Sequence, residues 1–64
     1  MIIRTPGRYK LREPLTVKTD EGMHSVVRGD LITVVSIDSN RGLVFLARHG
    51  WVDWDIPAVR DHGK

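Results

Sequence analysis

Sixty-four residues without a cysteine make one domain, and neither a disulfide nor a thiolate zinc ligand is there to hold it together. A chain of this size buries only about 60% of the surface its unfolded form exposes, so it has little interior from which to build a water-excluded active site. Ten Lys and Arg against eight Asp and Glu leave a formal charge of +2, which argues against a protein that coats nucleic acid by net charge alone.

The charge is unevenly spread. Residues 1–18 hold Arg4, Arg8, Lys10, Arg12 and Lys18 against Glu13, whereas residues 19–64 hold seven acids against five bases. The plain reading of the basic arm is a solvated face; the functional one is a surface for phosphates or an acidic partner. Seven of the ten bases are Arg, which suits planar bidentate contacts. Met1-Ile2-Ile3-Arg4 does not read as a signal peptide. The longest apolar runs, residues 34–37 and 43–47, fall far short of a membrane span. A soluble, cytoplasmic protein is expected.

In chain order, residues 1–7 read as an edge strand or a loose arm closed by Pro6-Gly7. Residues 8–12 are short and basic, with Tyr9 and Leu11 on one face. Residues 15–19 and 23–27 alternate about the turn signal Asp20-Glu21-Gly22 and predict a hairpin. Arg28-Gly29-Asp30 breaks the run. Residues 31–37 (LITVVSI) restart it with β-branched side chains that fit a pleated surface. Both faces there are fairly apolar, as in a central strand covered on two sides. Asp38-Ser39-Asn40-Arg41-Gly42 is a hairpin loop, residues 43–47 are the next strand with Phe45 in the core, and Arg48-His49-Gly50 turns into residues 51–54. Residues 56–59 predict one turn of 3₁₀ helix or a short bend. Residues 60–64 are a polar tail, frayed over 61–64. No window keeps a helical period. The expected fold is all-β: a single domain of about five short strands closing into a small antiparallel barrel, with a short 3₁₀ turn near the C-terminus.

Two short segments resemble the SH3 fold. Gly29-Asp30-Leu31-Ile32-x-Val34 is similar to the segment that ends the diverging turn of SH3 domains, and Ile56-Pro57-Ala58 to the hydrophobic-Pro-small element before their 3₁₀ turn. The loop at 38–42 then stands where an n-Src loop would be, and Arg48-His49-Gly50 where the distal hairpin would be. The resemblance covers residues 8–60 and implies an SH3-like barrel. It does not extend to the ligand groove. SH3 domains bind Pro-rich peptides through stacked aromatics. Leu43-Val44 stands where they carry a Trp pair, and Val59-Arg60 where they carry a Tyr. Asp20-Glu21 is all that stands for an acidic RT loop.

Trp51 and Trp54 are the first candidates for a site. Val52, Trp54 and Ile56 form the more natural core set, which leaves Trp51 outside as a partner anchor. Arg48, Asp53 and Asp55 would surround it and tune specificity and on-rate. The competing reading packs both rings into the barrel. A nucleic-acid surface is the alternative, with Arg8, Lys10, Arg12 and Lys18 supplying charge and Tyr9 one stacking ring. Arg28-Gly29-Asp30 matches the integrin tripeptide, but a turn explains it. His24, His49 and His62 lack ligand spacing, so no metal is expected. Ser25, Ser36 and Ser39 sit in no strained elbow. The reading is a non-enzymatic interaction module without a cofactor, binding a protein partner or its own copy, with no membrane or small-molecule substrate. Its length and missing cysteines fit a small regulator or adaptor of bacterial or phage type.

Overall fold

The structure, a computed structural model, describes residues 1–61. It is all-β. Seven strands run in chain order: β1 (Gly7–Leu11), β2 (Leu15–Thr19), β3 (Gly22–Val26), β4 (Leu31–Asp38), β5 (Leu43–Leu46), β6 (Gly50–Asp53) and β7 (Ala58–Arg60). Five of them form one antiparallel sheet in the order β6-β5-β4-β1-β7, and β2 and β3 pair as a separate hairpin. The described residues contain no helix, and therefore none long and apolar enough to cross a membrane.

β4 is the centre of the large sheet because its sequence is the richest in β-branched residues. β1 pairs with it from Gly7↔Val34 to Lys10↔Leu31, and β5 pairs on the other side from Val34↔Leu46 to Asp38↔Leu43. The register shifts between Val34 and Ser36, so Val35 is the extra residue of a bulge. Such a bulge bends the strand and steepens its twist. The turns follow their residues. Val27–Asp30 closes with a 3.1 Å bond from the Asp30 amide to the Val27 carbonyl, and Gly29 supplies the positive φ of 92° that a type II turn needs at its third position. In the β4–β5 loop, Asp38 Oδ1 accepts from the amides of Asn40 and Arg41 at 3.1 and 3.2 Å. That loop ends at Gly42, with φ at 68°, where a Cβ would stand 3.2 Å from Trp54 Nε1.

The core lies on one face of the large sheet and is covered by the hairpin. Tyr9 and Leu11 of β1, Ile32 and Val34 of β4, Val44 and Leu46 of β5 and Ala58 of β7 are buried against Val17, Val26, Ile3 and Ile56. Leu15, Ile37, Val52 and Trp54 pack around them.

Several expectations are corrected. Among the described residues the strands number seven, and they form an open sheet plus a hairpin rather than a closed barrel. β4 is buried on one face only: Leu31 and Val35 are 51% and 54% exposed. Residues 1–3 are not a loose arm but pair on one side with residues 54–56. The Ile3 amide donates to the Trp54 carbonyl and the Ile56 amide to the Met1 carbonyl, both at 2.9 Å, and Ile3 is buried. No 3₁₀ turn occurs among the described residues. The Ala58 amide instead donates to the Ile56 carbonyl at 2.8 Å, a γ-turn about Pro57, and the chain enters β7 at once. Arg60, assigned to the polar tail, closes that strand. The rest of the frayed-tail expectation, residues 62–64, lies outside the described residues.

One-sided burial predicts unequal costs for two leucines. Leu46 is fully buried and Leu31 half exposed. Leu46→Ala should cost about 2–5 kcal/mol, most of the stability of so small a domain, and Leu31→Ala less than about 1 kcal/mol. Urea unfolding of the two variants measures both.

Candidate functional site

Trp51 lies on β6, which pairs only with β5 and is therefore an edge of the large sheet. The pleat sends Val52 inward and Trp51 outward, and the indole is 49% exposed. Its cross-strand partner is Phe45. The two rings meet edge to face, with centroids 5.3 Å apart and planes at 66°, which fixes the indole in place while leaving it accessible. Phe45 is thus not in the core. It alternates with the buried Val44 and Leu46, and that period of two was the signal that could have placed it outside.

The residues expected around Trp51 occupy one stretch of chain, with Arg48 in the turn before β6 and Asp55 just after it. Arg48 takes φ of 74° in the three-residue loop between Leu46 and Gly50, and it is exposed. Asp53 shares the outward face with Trp51, and its Oδ1 accepts from the Asp55 amide at 2.9 Å. Asp55 Oδ1 takes the Met1 ammonium at 3.0 Å. Both carboxylates therefore shape the exit from β6 as well as charging the surface. Trp54 is half-buried, with the Arg4 guanidinium carbon 5.7 Å from its ring centre.

The residues expected for nucleic acid are divided between elements, and of them Lys10 and Arg12 line one groove. Arg8 and Lys10 are exposed on the outer face of β1, and Arg8 pairs loosely with Asp61 at 3.9 Å. Arg12 follows the strand, and Lys18 lies on β2 in the separate hairpin. The stacking role of Tyr9 is corrected: the residue is 1% exposed and its hydroxyl donates to the Thr5 carbonyl at 2.7 Å. The same alternation that exposes Arg8 and Lys10 turns Tyr9 inward.

His24 of β3 and His49 of the β5–β6 turn stand edge to face, with ring centroids 6.4 Å apart. Nδ1 of His49 is buried without a hydrogen-bond partner. No three His, Asp or Glu side chains converge on a possible metal position among the described residues, and His62 lies outside them. Comparison of the chain with known protein families, with curated proteins and with solved structures finds no match.

If Tyr9 is a core residue rather than a stacking ring, Tyr9→Phe removes the hydroxyl's contacts with the Thr5 carbonyl, Thr5 Oγ1 and Arg60 Nη1 and should lower unfolding free energy by about 1–3 kcal/mol. Chemical denaturation reads this directly.

Proposed function

We propose that this chain is a non-enzymatic protein-interaction module that uses Trp51 as its anchor. One observation carries the reading: a large indole held half-exposed, by an edge-to-face contact with Phe45, on an edge strand of the sheet. Aromatic side chains presented on a rigid support and able to be fully desolvated are the usual centres of binding energy. Arg48, Asp53 and Asp55 then form the charged rim that steers encounter and sets register. The open edge of β6 adds main-chain groups to which a partner strand can pair. The partner is another protein or a second copy of this chain, and the role is that of a small adaptor or regulator of bacterial or phage type, working in the cytoplasm.

The architecture belongs to the same proposal: an open arrangement related to the SH3 build. It is supported by the Gly29-Asp30-Leu31-Ile32-x-Val34 and Ile56-Pro57-Ala58 segments and by the excursion of β2–β3 between two strands, β1 and β4, that pair directly. Polyproline recognition is not part of it, because Leu43-Val44 and Val59-Arg60 replace the aromatics of that groove.

Affinity capture with the wild-type chain, followed by titration of the purified candidate, tests the anchor. Sedimentation of the chain alone tests self-association. Trp51→Ala should weaken the interaction by roughly 30-fold or more, as an anchor residue does. The unfolding free energy should change by less than about 1 kcal/mol. Full binding by the variant, or its collapse in a thermal melt, would overturn the reading.

A further inference from the structure

The end of β1 and the turn that joins β3 to β4 enclose an open groove lined by Lys10, Arg12 and Arg28, with Glu13 as its one acid and Val59 at its side. We propose that this groove binds the phosphodiester backbone of nucleic acid, as a site separate from the Trp51 surface.

The first argument is which cations are already engaged. Arg8 pairs with Asp61, and Arg41 with Asp38 at 3.6 Å. Arg60 donates to Thr5 Oγ1 at 2.8 Å, and Arg4 lies by the Trp54 ring. The side chains of Lys10, Arg12 and Arg28 have no such partner among the described residues. Lys18 and Arg48, likewise unpaired, do not line the groove. Three cations from two segments distant in sequence therefore converge around a single carboxylate. A field of that kind concentrates an anion there. Two of the three are guanidiniums, whose planar forks match phosphate oxygens.

The second argument is what the groove cannot recognise. Its main chain is committed internally. The Leu11 amide donates to the Asp30 carbonyl at 3.0 Å, the Gly29 amide to the Leu11 carbonyl at 2.9 Å and the Arg12 amide to the Pro57 carbonyl at 2.8 Å. A peptide laid along it finds no ladder to join, and Leu11 is buried, so no deep apolar slot awaits a side chain. With Tyr9 buried, none of its lining residues is aromatic, so the groove offers no ring on which a base can stack. What remains is charge, three cations beside one carboxylate. That favours sequence-independent contact with a backbone over capture of an acidic peptide or of unpaired bases.

Fluorescence anisotropy with a short mixed-sequence DNA duplex tests this on the full chain. Three phosphate contacts predict a slope of log K against log salt of about −2.7. Arg28→Gln, an exposed turn substitution, should weaken binding roughly tenfold at about 50 mM salt and flatten the slope by about 0.9. The triple variant Lys10→Gln, Arg12→Gln, Arg28→Gln should bring binding to background while its amide spectrum stays that of the folded chain. Lys18→Gln and Trp51→Ala should leave the affinity unchanged, which keeps this site independent of the protein-binding surface. Absence of binding at low salt, an unaltered affinity in Arg28→Gln, or poly-glutamate competing as well as the duplex would each overturn the proposal. The last result would assign the groove to acidic polypeptides.

Discussion

The double pairing of β4 is the constraint on which the rest of this fold depends. Val34 is in register with Gly7 on one side and Leu46 on the other, so this one strand sets the face of both its neighbours. Because side chains alternate strictly, placing Val34 and Ile32 inward also places Tyr9, Leu11, Val44 and Leu46 inward. A slip of one residue would exchange that core for Arg8, Lys10, Thr33 and Phe45. The bulge at Val35 shifts the inward set by one residue, so that Ile37 rather than Ser36 meets Val44 and packs against the core.

Function follows from the other side of the same alternation. A chain this small cannot cover both faces of its sheet, so Leu31, Val35, Val59 and Trp51 stay in contact with solvent. Most become isolated surface residues of the ordinary kind. Trp51 differs because Phe45 supports it and because it sits on an edge. The cations divide in a similar way. Arg4, Arg8, Arg41, Arg60 and the Met1 ammonium are tied to an aspartate, to Thr5 or to an aromatic ring, while Lys10, Arg12 and Arg28 are left to face a groove. Two surfaces of different chemistry result, one aromatic and one cationic, and the proposed module would use them to bridge a protein to a polyanion.

Much of the fold was legible in the sequence where period and turn residues agreed. The hairpin about Asp20-Glu21-Gly22, the β4 run, the 38–42 loop and the outward Trp51 all follow from alternation and turn chemistry. The misreadings have physical causes. β4 looked apolar on both faces because Leu31 and Val35 are apolar, and a sequence alone does not say whether a second layer exists to cover them. Barrel closure depends on where the edges lie, which is a property of pairing rather than of any segment. The three-residue β7 is too short to show a period, and Pro57 invited a helical turn in its place. Tyr9 was misread because its basic neighbours suggested a surface, although its own alternation with Arg8 and Lys10 pointed inward. Arg28 was hidden in a tripeptide explained by the turn, and only the fold carries it to Lys10 and Arg12.

Solvent paramagnetic relaxation, with a soluble gadolinium chelate and methyl- and indole-labelled protein, tests the central claim that one face of the sheet is core and the other is free. Strong relaxation of Leu31, Val35, Val59 and the Trp51 indole, beside protected methyls of Ile32, Val34, Val44 and Leu46, is the predicted result. Equal protection of both sets would contradict it, because it would mean the outer face is covered and the Trp51 anchor is not available to a partner.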